Sequence, residues 1–161
     1  MKQKNLILFA GIPASGKSFW AKHNLTDNDL YISRDEIRFS IVKENEAYFS
    51  HENKVFNYFI SEIQKGLYSG KTVYADATHI NWASRNKLLR SLNLEDVNVS
   101  VYVFKTPLDI CLERNEKRTG REEVPKDVII RMYHQFVIPE KDPYDYKEIR
   151  YIYSNGKEEN K

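Results

Sequence analysis

Eight residues near the start have the types and the spacing to hold a polyphosphate: Gly11-Ile12-Pro13-Ala14-Ser15-Gly16-Lys17-Ser18. They read G-x-x-x-x-G-K-S, the P-loop pattern. Glycine at positions 11 and 16 lets the backbone wrap around an anion with no side chain in the way. The loop's N–H groups then point inward at the phosphates, helped by the dipole of the helix that follows. Gly11, Pro13, Ala14, Ser15 and Gly16 are accordingly assigned to a nucleotide site. Lys17 is placed to reach the β- and γ-phosphates, and the Ser18 hydroxyl to hold Mg²⁺.

A P-loop specifies a nucleotide but not a reaction. The second informative cluster is Ser33-Arg34-Asp35-Glu36-Ile37-Arg38. It follows a short strand pattern, and ligands of open α/β sheets gather at the carboxyl ends of strands. An aspartate there can accept a proton from a hydroxyl, and Arg38, one helical turn later, can hold an anionic neighbour of that hydroxyl. Phosphoryl transfer needs mainly positioning and electrostatics, so one such acid suffices. Asp35 also suits a helix cap, and the two roles are compatible. Asp76, ending V-Y-A-D-A-T, is a second acid for the loop. It could bind Mg²⁺ through water, orient Arg38, or simply close a turn.

These residues need elements to carry them. The apolar run Leu6-Ile7-Leu8-Phe9-Ala10 precedes the loop, and a helix start follows at Ser18-Phe19-Trp20-Ala21. Strands are expected at residues 5–10, 30–32, 72–75, 97–104 and 148–153. Helices are expected at residues 17–24, within 48–67 with closure at Gly70, at 82–92, from Pro107 in the N1 position, and at 125–138. Alternating strands and helices imply a parallel α/β sheet. Phe56, Phe59 and Ile63 share a helical face and belong to the core. Tyr48 and Tyr58 remain candidates for stacking on bases, and His79 for the wall of a substrate groove. Residues 114–124 are charged and without apolar periodicity, either a solvated loop or a lid over the phosphates.

Four segments taken together carry a family likeness: G-I-P-A-S-G-K-S-F-W-A, S-R-D-E-I-R-F-S, D-A-T-H-I-N-W-A-S-R and E-R-N-E-K-R-T-G-R-E-E-V-P-K-D-V-I-I-R-M-Y. The spacing R-N-x-x-R followed by V-P-x-D-V is the most specific element. Over nearly its whole length the chain resembles the 5′-hydroxyl polynucleotide kinase family. The resemblance implies a three-layer α/β/α P-loop domain over residues 1–154, with a five-stranded parallel sheet in the order 2-3-1-4-5 and a lid. Residues 155–161 would be a charged, disordered tail. It further implies ATP and Mg²⁺, and a nucleic-acid 5′-hydroxyl end, DNA or RNA, as acceptor. Asp35 would be the general base and Arg38 would contact the phosphate next to the attacked hydroxyl. Arg118 would be the lid arginine on the ATP phosphates, with Arg114 beside it. Asp76 and Thr78 match the family's acidic strand-end motif on the substrate side. No D-x-D-x-T motif is present, so no 3′-phosphatase activity is expected. Kinases of small molecules or nucleosides share much of this frame, and a third reading, from another class, is an ATP-dependent switch protein. Asp35 with Arg38 favours a kinase over a switch.

The 161 residues are most simply one domain, and 41% apolar with 13% aromatic residues argues against disorder. A net charge of +2 is too mild for a protein that coats nucleic acid along its length. Cys111 is the single cysteine, which precludes an intramolecular disulfide and fits the cytoplasm. It reads as a small core residue. The four histidines show no metal-ligand spacing. No leader or membrane-spanning run is expected, and the oligomeric state is left open.

Overall fold

A computed structural model describes residues 3–160. Along them run β1 (Lys4–Ala10), α1 (Lys17–Asn24), β2 (Asp29–Ser33), α2 (Arg34–Ile41), α3 (Glu52–Tyr68), β3 (Thr72–Asp76), α4 (Trp82–Arg90), β4 (Val97–Lys105), α5 (Leu108–Glu116), α6 (Lys126–Gln135), β5 (Glu148–Tyr153) and β6 (Glu158–Asn160). The strands form one sheet in the order β2-β3-β1-β4-β5-β6. Every pair is parallel except β5 with β6. Parallel neighbours need crossover connections, and the connecting helices end up covering the sheet faces.

β1 lies in the middle of the sheet, which explains its unbroken apolar run: Leu6 to Ala10 are all buried, with both faces covered. Leu6, Leu8 and Ala10 face Val55, Phe59, Ile63 and Leu67 of α3 and Leu88 and Leu89 of α4. Ile7 and Phe9 face the other way, onto Ala21 and Trp20 of α1. The two-residue period of the strand thus splits one run between two helical layers. A third cluster, Ile12, Ala14, Cys111 and Ile129, packs α5 and α6 under the phosphate loop. Cys111 is a buried core residue, as its setting in the sequence implied.

The three-layer α/β/α expectation holds, with six strands where five were expected. The difference lies in the tail. Glu158–Asn160 folds back as an antiparallel edge strand on β5 instead of fraying. Its charges find partners: Glu158 accepts from Trp20 Nε1 at 3.2 Å and from Arg150 at 3.3 Å. Lys161 lies outside the described residues.

Three element ends also move. The helix expected over 82–92 stops at Arg90, and that expected over 125–138 stops at Gln135. Beyond Gln135 the backbone is diverted: Val137 N donates to Ile80 O at 2.8 Å, and Val137 O accepts from Arg85 at 2.8 Å. Pro107 sits at the cap of α5, one residue before N1. Arg85 is fully buried and satisfied by Asp142 at 2.6 and 2.9 Å and by His79 O at 2.7 Å. This staple fixes the turn after β3, which forms a wall of the site.

Candidate active site

The phosphate loop is shaped by backbone sterics. Ala14 and Gly16 have φ of 66° and 99°, both left-handed. Such alternation turns successive N–H groups to one side and creates an anion-binding concavity. A Cβ on Gly11 would lie 2.6 Å from Ser15 Oγ and 3.1 Å from Phe104 Cβ, so glycine allows this closure without displacing either. Gly11 N donates to Thr78 O at 2.9 Å, tying the loop to the segment after β3. Helix α1 begins at Lys17 with no side-chain cap and no acid in its first turn. Its free N–H groups and positive dipole end therefore face the loop.

Lys17 Nζ donates to Gly11 O at 2.8 Å and Ile12 O at 3.1 Å. Burial lowers its pKa, opposed by the charges of Asp76 and Asp35. Asp76, at the end of β3, is buried and accepts a hydrogen bond from the Tyr31 hydroxyl. Burial raises its pKa, against the pull of Lys17 and Tyr31. Both charges are thus desolvated, and a polyphosphate beside Lys17 with a divalent cation beside Asp76 would stabilise them. Ser15 Oγ is buried without a partner. Among the described residues no cluster of three or more His, Cys, Asp or Glu could hold a metal. Ser18 and Asp76 line the same cavity and offer oxygen donors, the ligand type Mg²⁺ takes, which fits a Mg²⁺ that would arrive on the nucleotide and keep most of its ligands from phosphate and water.

Helix α2 carries the second cluster. Its cap is Ser33, whose Oγ accepts from Glu36 N at 3.2 Å. Asp35 is therefore not the cap but a first-turn residue with a largely exposed carboxylate. That carboxylate accepts from Arg38 NH1 and from the Tyr48 hydroxyl, the latter at 2.9 Å. Arg38 is buried, with Nε and NH2 each 2.8 Å from the two oxygens of Glu52. Its NH1 also donates to Tyr48 Oη at 3.1 Å. One N–H of five remains free. Arg38 holds Asp35 firmly and can offer a single donor to an incoming anion. Its orienting acid is Glu52, at the start of α3. Of the alternatives left open for Asp76, orienting Arg38 falls to Glu52 instead, and Asp76 accepts from Tyr31.

The charged segment after α5 is anchored. Asn115 is buried and clasps both groups of Val124, donating to its O at 2.7 Å and accepting from its N at 3.0 Å. Arg121 lies over Phe39 at 4.9 Å and donates to the carbonyl of Val42, at the end of α2. Arg114 NH1 approaches Ala14 O at 3.4 Å. Arg118, with NH1 3.4 Å from Glu122 O, lines the same cavity as Lys17.

Two cavities meet here. The larger, about 800 Å³, is lined by the phosphate loop, Arg114 and Arg118, Asn24 and the β5–β6 turn at Tyr153, Ser154 and Gly156. The smaller, about 340 Å³, lies between α2, α3, α4 and the Ala77–His79 turn. Lys17, Asp35, Tyr48 and Asp76 are in the walls of both. Arg38 and Thr78 line only the smaller one. Every P-loop, catalytic and substrate residue assigned from the sequence lines one cavity or the other or lies in the phosphate loop, whereas Tyr58 is exposed and lines neither. Glu52, Tyr31 and Asn115 were missed, and no local motif marks them. Tyr48 is present as a hydrogen-bond partner of Asp35 rather than as an open stacking surface. His79 lines the smaller cavity, but its Nδ1 is bound to Phe9 O at 2.7 Å, and burial lowers its pKa to about 4, so it is neutral.

Residues 6–139 match the model of a family described as an AAA domain. An L-seryl-tRNA(Sec) kinase of Methanococcus maripaludis is 30% identical over 141 residues, which cover 83% of this chain and 53% of that protein. The chain thus spans about half the length of that curated relative. A chain of a Pnkp1/Rnl/Hen1 RNA repair complex superposes with a TM-score of 0.75 at 24% identity, covering 91% of this chain and 48% of that one. Kti12 of Chaetomium thermophilum, in complex with ADP-AlF3, gives 0.66 at 16% identity, covering 93% and 89%. Among the described residues no helix is long and apolar enough to cross a membrane. The match over residues 6–139 places the chain in the AAA domain family, and the phosphate loop and sheet order are those of a P-loop fold.

Proposed function

We propose that the protein transfers the γ-phosphoryl group of ATP to the 5′-hydroxyl of a nucleic-acid end. The observation that carries this reading is the junction of the two cavities, where Lys17 and Asp35 line both. The larger cavity holds the nucleotide, with its phosphates on the loop N–H groups. The acceptor enters the smaller one and presents its hydroxyl at Asp35. Asp35 takes the hydroxyl proton as the oxygen bonds to the γ-phosphorus, and the bond to the β-bridging oxygen breaks to leave ADP. Mg²⁺, held through Ser18 and Asp76, would neutralise charge on the β- and γ-phosphates. Lys17 and Arg118 stabilise negative charge on the transferring group. Arg38 keeps Asp35 in place and gives its last N–H to the phosphate next to the attacked hydroxyl.

A second reading is supported by the 30% identity to an L-seryl-tRNA(Sec) kinase. The same base could serve the hydroxyl of a seryl group carried on tRNA. The test is transfer of labelled γ-phosphate to adenosine, adenosine 3′-monophosphate, a short 5′-hydroxyl oligonucleotide and seryl-tRNA. The oligonucleotide and the 3′-monophosphate should exceed adenosine. Asp35→Asn should lose about 10²–10⁴-fold in turnover and keep ATP binding. Equal rates on adenosine and its 3′-monophosphate would point to a small-molecule acceptor, and transfer to seryl-tRNA alone would favour the second reading.

A further inference from the structure

The smaller cavity carries more positive charge than the transfer step uses. Arg34 opens α2, one helical turn before Arg38 and about 6 Å from it along the axis. Its guanidinium lies 5.4 Å from the centre of the Phe56 ring. NH2 reaches Glu52 at 3.3 Å, while Nε is buried with no hydrogen-bond partner. Lys87, from α4, stands 4.5 Å from the same ring. Among the described residues no carboxylate lies within ion-pair distance of Lys87. Asp35 and Asp76 belong to the reacting centre with Lys17, which leaves Glu52 as the carboxylate beside Arg34, Arg38 and Lys87 in the rest of this cavity.

The contacts also have an order. Asp35 touches Arg38, Arg38 shares Glu52 with Arg34, and Arg34 and Lys87 share the ring of Phe56. The cations therefore lead away from the point of transfer over an apolar floor. The spacing of Arg38 and Arg34, about one helical turn along α2, suits successive anions on an extended chain, and Lys87 joins Arg34 at the Phe56 ring.

We propose that Arg34 and Lys87, set against Phe56, form a subsite for the second backbone phosphate of the acceptor strand. This phosphate lies one nucleotide beyond the phosphate next to the attacked hydroxyl. The inference rests on the proposed function, because it takes the smaller cavity as the acceptor groove. It makes strands of at least two nucleotides the preferred acceptors. A nucleoside 3′-monophosphate fills only the Arg38 position and leaves the outer cations unused.

The experiment compares three 5′-hydroxyl acceptors. One is a nucleoside 3′-monophosphate. The second is a dinucleotide carrying a 3′-terminal phosphate. The third is the same dinucleotide with that terminal phosphate fully esterified as the uncharged dimethyl triester. One charge-assisted contact is worth about tenfold, so kcat/KM for the charged dinucleotide should exceed that for the neutral one by about that factor. The ratio should collapse toward unity in Lys87→Ala and shrink with added salt. Lys87 is on the surface, and comparing acceptors on the wild-type protein requires no variant at all. Transfer to both dinucleotides at equal efficiency would overturn the subsite and leave the kinase reading standing. A ratio that survives unchanged in both Lys87→Ala and Arg34→Gln would overturn the assignment of these residues. No transfer to any of the three acceptors would overturn the subsite together with the function it rests on.

Discussion

Replacing Glu52 by glutamine keeps the length and shape of the side chain and removes its charge. In the wild type its oxygens receive Arg38 Nε and NH2 at 2.8 Å each and Arg34 NH2 at 3.3 Å. Glutamine offers one acceptor and turns a donor toward a guanidinium. Breaking a fully buried pair costs about 3–5 kcal/mol, and an exposed pair is worth about 0–1 kcal/mol. The Arg38 side chain is 7% exposed and that of Glu52 is 29% exposed, so the cost falls between, at about 2 kcal/mol. In a chain of this size each kcal/mol moves Tm by about 2–4 °C, which gives a loss of about 4–8 °C. The pH dependence is an independent check. Burial raises the Glu52 carboxyl, but the hydrogen bonds and charge of Arg38, followed by Arg34, outweigh it and hold the pKa below its usual 4.5. A depressed carboxyl contributes stability that is present above its unfolded pKa and is lost as pH falls through the folded one. The Tm gap between wild type and Glu52→Gln should be full at neutral pH and close in acid, below the usual carboxylate range. Thermal unfolding followed by circular dichroism across pH measures both. Identical Tm values at pH 7 would refute the claim that Glu52 orients Arg38. The same variant should raise the acceptor KM more than the ATP KM, because the disturbed pair lies in the smaller cavity.

Lys17→Ala should stay folded and lose at least about a hundredfold in turnover, since a charge-assisted partner is removed where charge develops in transfer; wild-type turnover in the folded variant would exclude the nucleotide role of the loop. Tyr48→Phe removes the hydroxyl that donates to Asp35 at 2.9 Å and accepts from Arg38 at 3.1 Å. Burial followed by the Asp35 charge raises the Tyr48 pKa to about 12, so the hydroxyl is a neutral donor at working pH, and its loss should lower kcat about tenfold with ATP affinity intact. An unchanged kcat would mean that Arg38 alone holds the base.

The parts of the site legible in the sequence are those whose chemistry is local. A P-loop is made by consecutive residues, so Gly11 to Ser18 reveal the turn, the anion cradle and the cation together. Asp35 and Arg38 are three apart on a helix and must be neighbours. Glu52 is 14 residues beyond Arg38, and the contact depends on how α2 and α3 cross, which no short pattern encodes. Tyr31 and Asp76 are 45 residues apart and meet through the pairing of β2 with β3, where Ser33 lies beside Asp76. Arg85 and Asp142 are 57 apart, and a charged residue in the middle of an amphipathic helix reads as surface until its partner is seen.

The tail illustrates the same limit from the other side. Charge in Glu158 and Glu159 suggested a solvated end, yet β5 is an otherwise open edge that offers unpaired backbone groups. Arg150 and Trp20 then give Glu158 partners that composition could not supply. The consequence reaches the site, because Ser154, Gly156 and Glu158, which follow the last expected strand, line the larger cavity together with Lys17. Local motifs define the phosphate chemistry of that cavity, and long-range pairing decides what else encloses it.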